Sequence, residues 1–423
     1  MIKRLLIIMS LAAPIVASAE SIDECQQMAE ANFPLVKRYD LISRTEQFTL
    51  SNIARGWLPQ ITAYAQSTYQ SAVAELPEAL GGVMAAQGIE VKGLSPLQYR
   101  TGLDVQQTIY DGGATAAARG VARAESAVEQ ARNASSIYNV RARVNEVYFG
   151  WLLTDERLKL NDELQQLLTA NVAKLEALYT GGAATGSDVD ALRAELATAR
   201  QQHTELTTTR AALQQVLTLL CGKEIETVVL PAAKLTTSSG GTHPTLTVFD
   251  RQLSLFDARE KALRSQYMPK LGLFAQGYYG YTGLDMFRDM YHRSPTLNGI
   301  IGARLTWNIS SLYTRRSDLH KLQTGRQDVE VSRSTFLFNQ SLEATQELQN
   351  VQRFRRLMEE DEEIVRLRRN VREAAEAKLD GGIIDTSTLL QEITRENQAA
   401  INHSIHTIEY LKAIYEYNNT NGQ

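Results

Sequence analysis

This chain writes one pattern twice, and each copy holds too few strands for a sheet and too much helix for a compact ball. Trp57-Leu58-Pro59-Gln60-Ile61 returns about 200 residues later as Tyr267-Met268-Pro269-Lys270-Leu271, and both open an alternating segment. Thr108-Ile109-Tyr110-Asp111-Gly112-Gly113 is echoed by Thr306-Trp307-Asn308-Ile309-Ser310-Ser311, each before a very long helical pattern. Tyr179-Thr180-Gly181-Gly182 returns as Leu379-Asp380-Gly381-Gly382, followed both times by a polar turn and a further helix. Each half therefore reads strand, strand, long helix, turn, helix.

Residues 1–19 read as a secretory signal. Lys3 and Arg4 open it, Leu5 to Val16 is apolar, and Ala17-Ser18-Ala19 is a small-residue cleavage site. Ile22-Asp23-Glu24 ahead of Cys25 is too polar for a lipid-attachment site. Losing Lys3 and Arg4 takes the formal charge from -4 to -6, which excludes a strongly basic nucleic-acid binder. Cys25 and Cys221 then stand in an oxidising compartment, where they either pair or remain two buried thiols. No later stretch has the ~18 consecutive apolar residues of a spanning helix, so any membrane residence is through strands.

Four segments alternate with a period of two. The first is Ile61 to Thr68. In the second, Leu103, Val105 and Ile109 oppose Asp104, Gln106, Thr108 and Tyr110. In the third, Leu271, Leu273 and Ala275 oppose Lys270, Gly272 and Gln276, with Phe274 and Tyr278 on the more polar side. In the fourth, Ile301, Ala303 and Leu305 oppose Gly302, Arg304 and Thr306. Each is about 10 residues, the length of a tilted transmembrane strand, and aromatics gather near the ends. The joining loops, roughly 70–99 and 282–298, are long and rich in small residues, as outer-membrane barrels show on one side.

No proline interrupts the helical patterns from Ala114 to Tyr179 and from Tyr313 to Leu379. Some 65 helical residues make a rod of roughly 100 Å, which no single globular domain accommodates. The returning helices carry heptad rows, Leu192, Ala199, Leu206, Leu213 and Leu220 in one and Leu390, Asn397, Ser404 and Leu411 in the other. The turns between them are the leading functional candidates. The glycine pairs end the descending helices, Thr185 or Ser187 caps one returning helix, and Asp385 or Thr386 caps the other.

Catalytic motifs are missing from the chain. It has no phosphate-binding loop, dinucleotide fingerprint, nucleophile elbow or metalloprotease helix. His403, His406 and Glu409 are spaced three apart on a helix, but without cysteine partners they read as structural or solvated groups. The run Glu359 to Glu363, followed by Arg366, Arg368 and Arg369, reads most simply as a solvated helix face, the alternative being salt bridges that lock one long helix to its neighbour. No enzyme, cofactor or metal is therefore expected. Four strands cannot close, and a bilayer does not tolerate open sheet edges, so several chains must pool their strands. The sequence describes a tube, a barrel in the outer membrane continued by helices in the periplasm.

The chain resembles the TolC family of outer-membrane efflux proteins over essentially its whole mature length. The resemblance is carried by Trp57-Leu58-Pro59-Gln60, by Ile109 to Gly113, and by Gly182 with Ser187-Asp188-Val189. Tyr267 to Lys270, Asn308-Ile309-Ser310, and Gly382 with Ser387-Thr388-Leu389 are the second-half counterparts. It implies a mainly α fold with a membrane β-barrel portion, a homotrimer with four strands from each chain in a 12-stranded barrel, and a long α-helical barrel. It implies also an exit duct for small molecules or secreted proteins, resident among outer-membrane lipid. Periplasmic tips would dock on an adaptor protein and an inner-membrane transporter. Those tips would be formed by Gly181, Gly182, Ser187, Asp188, Val189, Gly381, Gly382, Asp385, Ser387, Thr388 and Leu389. Thr388 and Gln391 stand where some relatives have aspartates, while Asp188 keeps one acidic position.

The expected organisation is a signal (1–19), a first repeat (20–222; strands near 57–70 and 101–111, tip near 180–188), a linker (223–244) and a second repeat. The latter covers 245–423, with strands near 268–281 and 299–310 and a tip near 380–388. The competing reading is a periplasmic adaptor-type coiled-coil protein without a pore.

Overall fold

The computed structural model describes residues 20–423 apart from 90, 183, 233 and 237–242, so the secretory signal and Ser238-Ser239-Gly240-Gly241 lie outside the described residues. Two compact units emerge, each interleaving both halves of the chain. One takes the residues up to Tyr39, Ala131–Thr247 and Arg333–Gln423, and the other Asp40–Gln130 and Val248–Ser332.

The helical unit is organised around two antiparallel hairpins. Its first helix, α1 (Ile22–Asn32), is started by a reciprocal cap in which Ser21 and Glu24 satisfy each other's backbone groups. It buries Ile22, Cys25 and Ala29, one stripe of the 3.6-residue period. That stripe packs on α5 (Val140–Thr180) and the end of α6 (Gly186–Cys221), against Val144, Tyr148, Trp151 and Leu217. The Tyr148 hydroxyl lies 2.9 Å from the carbonyl of Glu20 and 2.7 Å from that of Val229, holding the residues ahead of α1 to the segment after α6. A second cluster joins the hairpins near their turns. Leu168, Leu175, Leu192 and Leu196 of α5 and α6 pack with Leu389 and Ile393 of α10 (Thr386–Thr420) and Ala375 of α9 (Arg315–Asp380). Each fully buried leucine stabilises this contact by about 1.5–3 kcal/mol.

The first long helical pattern is divided. α4 (Ala114–Tyr138) and α5 are separated at Asn139, one of the weaker helix formers. The second, α9, is unbroken over 66 residues. Helix α2 (Val36–Arg55) precedes the first strand, and α7 (Pro244–Gln266) the third.

The second unit holds an antiparallel sheet in the order β1-β2-β3-β4, with β1 (Gln60–Tyr69), β2 (Leu97–Tyr110), β3 (Lys270–Tyr281) and β4 (Thr296–Thr306). The strands differ from the expected limits for local reasons. Pro59 and Pro269 lack the N–H a ladder needs, so β1 and β3 begin just after them. β2 starts at Leu97 because it pairs there with Tyr69, and β4 ends before a 3₁₀ turn at Ile309–Tyr313. The β1–β2 loop contains α3 (Glu78–Ala86) and the β3–β4 loop α8 (Met286–Tyr291). Leu94, Tyr281 and Met290 pack these loops together.

Candidate functional site

The two hairpin turns share one construction. Gly181 continues the helical geometry (φ -79°), and the second glycine of each pair makes the left-handed exit, Gly182 at φ +77° and Gly382 at φ +69°. Thr185 caps α6. Its hydroxyl accepts from the Asp188 N–H at 3.3 Å, while the Asp188 carboxylate accepts from the Thr185 N–H at 3.0 Å and its hydroxyl at 2.6 Å. Asp385 caps α10, its carboxylate accepting from the Thr388 N–H at 2.8 Å and hydroxyl at 2.6 Å. Each cap thus pairs one carboxylate with one threonine, in reversed order. The acid absent at Thr388 stands three residues earlier.

Both carboxyls are held below the ordinary aspartate value. The Thr185 hydroxyl and N–H do this for Asp188, with Thr386 of the second turn adding to them; the Thr388 hydroxyl and N–H do it for Asp385. An ion pair between Lys174 and Asp380 also joins the hairpins.

The candidate tip residues separate into two groups. Gly181, Gly182, Ser187, Gly381, Gly382, Asp385, Ser387 and Thr388 are exposed and Asp188 is partly so. Val189 and Leu389 are 4% and 1% exposed and belong to the cluster that binds the hairpins together. Sequence reasoning passed over Ile383 and Tyr179, 74% and 55% exposed. The signal was an isoleucine directly after Gly381-Gly382, where a turn ordinarily carries a polar residue.

Cys25 and Cys221 meet inside the helical unit. The Cys221 sulfur is 3.6 Å from the Cys25 carbonyl oxygen, both residues are buried, and the thiols are free. The hydrogen bond its S–H makes to the Cys221 sulfur and burial together hold the Cys25 thiol well above its usual range. His406 does not assemble a metal site with His403 and Glu409. Its Nδ1 lies 2.5 Å from Asp361 of α9, and no group of three potential metal ligands occurs among the described residues. The acidic run is therefore not wholly solvated, since Asp361 is buried against α10. Arg369 and Arg372 likewise reach Glu396 of α10, tying the two long helices of one hairpin together.

The sheet is two-faced. Across β3 and β4, Leu271 faces Leu305, Leu273 faces Ala303 and Ala275 faces Ile301. The opposite face pairs Gly272 with Arg304, Gln276 with Ile300 and Tyr278 with Asn298. Alternation had foreshadowed both faces, with one correction. A bulge between Thr108 and Tyr110 brings Tyr110 across from Leu271, on the apolar side rather than with Asp104. Strands β1 and β4 are the open edges of the sheet.

Residues 51–223 match the model of the family described as outer membrane efflux protein. No curated protein matches the sequence. Among solved structures, a membrane protein from Pseudomonas aeruginosa is similar with a TM-score of 0.69 at 15% identity, covering 95% of this chain and 90% of that one. The outer membrane protein VceC from Vibrio cholerae is similar with a TM-score of 0.68 at 14% identity, over 95% and 96% of the two chains. The Campylobacter jejuni CmeC outer membrane channel follows with a TM-score of 0.65 at 15% identity, over 95% and 85%. At such identities the likeness is one of fold.

Proposed function

We propose that the chain is a member of the outer membrane efflux protein family, whose model matches residues 51–223, and that it is an exit duct in the outer membrane with a helical periplasmic extension. The observation that carries the reading is the sheet, with one apolar face, one polar face and two open edges. Lipid takes the apolar face and a water-filled lumen the polar one. The edges are closed by other copies, since unpaired strand backbone in hydrocarbon costs several kcal/mol for each group. Three copies would make a 12-stranded barrel. The cargo is small molecules or secreted proteins, selected upstream by an inner-membrane transporter and its adaptor.

The exposed tip residues, with Ile383 and Tyr179, are the proposed adaptor-docking surface, and Asp188 and Asp385 border the entrance. Cys25 and Cys221 are a proposed disulfide. Passing two electrons and two protons to a donor protein disulfide would leave them bonded and the donor as a dithiol. The adaptor-type reading calls for β-domains flanking a single hairpin. Two hairpins and one two-faced sheet favour the duct instead.

The test is the purified protein in detergent and in planar bilayers. A particle of three chains that conducts ions is the expected result. A stable monomer without conductance would refute the duct.

A further inference from the structure

All the charge on the sheet lies on its polar face. Arg100, Arg304 and Lys270 stand there against Asp104 alone, two net positive charges per chain, and the apolar face carries none. None of the three cations is paired with a carboxylate among the described residues. Asp104 itself has one carboxylate oxygen buried without a hydrogen-bond partner.

The arginines are held by rings instead of by acids. The Arg100 guanidinium lies 5.8 Å from the ring centroids of both Tyr64, on β1, and Tyr278, on β3, and donates to Gln66 at 3.2 Å. The Arg304 guanidinium lies 4.9 Å over Phe274. Small residues make room for this. A Cβ on Gly280, across from Arg100, would come within 2.5 Å of the Arg100 Cα, and one on Gly302 within 2.7 Å of the Phe274 ring. Stacking on aromatic faces fixes a guanidinium without neutralising it and leaves most of its N–H edge free. A line of uncompensated cations in a water-filled bore between low-dielectric walls focuses a positive potential along it.

We propose that this polar face is the selectivity wall of the duct and favours anions, small inorganic ones and organic carboxylates or sulfonates alike, over cations. The proposal rests on the exit-duct reading, which puts the polar face on the lumen. In a ring of three chains the wall would carry six net positive charges. Rings of arginine and lysine are how pores prefer anions in general.

Reversal potentials in a potassium chloride gradient test it, with the full-length protein in planar bilayers. The Arg100→Gln/Arg304→Gln double variant is expected to lower the chloride-to-potassium permeability ratio several-fold. Asp104→Asn, a near-isosteric change, should raise it, and Arg100→Lys/Arg304→Lys should leave it close to the starting value. If the double variant does not assemble, the Asp104→Asn and lysine variants still decide the matter. Conducting channels whose ratio is unmoved by either charge change would overturn the wall while leaving the duct standing. Absence of conductance in the unaltered protein would instead remove the duct, and the wall with it.

Discussion

Asp188 and Asp385 occupy opposite positions of two equivalent caps. Asp188 is the third residue of α6 and binds back to Thr185, whereas Asp385 precedes α10 and binds forward to Thr388. Both carboxylates therefore accept helix-terminal N–H groups and both stand at the positive end of a helix dipole.

The two caps should weaken together in acid. Because both folded-state pKa values are depressed, their stabilisation is complete above the ordinary aspartate value of 3.8 and is lost as pH falls through the lowered values. Amide hydrogen exchange in the first turns of α6 and α10 should accelerate below about pH 4 beyond its intrinsic pH dependence. Asp385→Asn should remove that dependence at its own turn only. Thr185→Ala, which deletes a hydroxyl cap at any pH, should cost about 1 kcal/mol.

Gly182→Val and Gly382→Val place a side chain where nothing lies within 4 Å, so the penalty is backbone strain alone. A non-glycine residue at such φ costs about 1–2 kcal/mol, more for a β-branched one. We expect assembled protein in the membrane in normal amounts but impaired export, measured as dye accumulation in cells. Normal export would remove the tips from the functional argument.

Glu347 of α9 opposes folding at high pH. Burial raises its pKa to about 7, with Glu343 and Glu416 adding repulsion and only the Thr420 hydroxyl, 3.0 Å away, in its favour. A raised carboxyl binds protons more tightly in the folded state, so stability falls as pH climbs from 4.5 toward 7. Glu347→Gln should raise the melting temperature at pH 8 and change it little at pH 5.

The cysteine pair is read on a denaturing gel. Protein from the periplasmic side of the cell should migrate faster without reductant than with it. Cys25→Ser or Cys221→Ser should abolish the difference. Because both sulfurs are buried, reductant should act only once the protein is unfolded. Equal mobility in every lane would mean two free thiols.

Much of the fold was legible where the signal is local. Alternation separated Leu271 and Leu273 from Lys270 and Gly272, and the paired glycines marked both turns. What escaped depended on distant partners or on a single inserted residue. The bulge that moves Tyr110 to the apolar face changes no residue type. Arg100 draws its two rings from β1 and β3, strands about 210 residues apart in a chain whose register is set only by pairing. Asp361 looked like one more solvated acid because His406, its partner, lies 45 positions away. Asp385 already stood among the candidate caps of α10, but matching the halves position by position, Asp188 against Thr388, obscured that the carboxylate and the threonine exchange places.

The open edges at β1 and β4 bear on biogenesis. A lone subunit that entered the bilayer would bring two rows of unpaired backbone into hydrocarbon, while one left in water shows Leu297 and Ile301 to solvent, 82% and 86% exposed. Neither solvent suits the single chain. In the proposed duct, insertion would therefore be concerted with closure of the barrel by other copies.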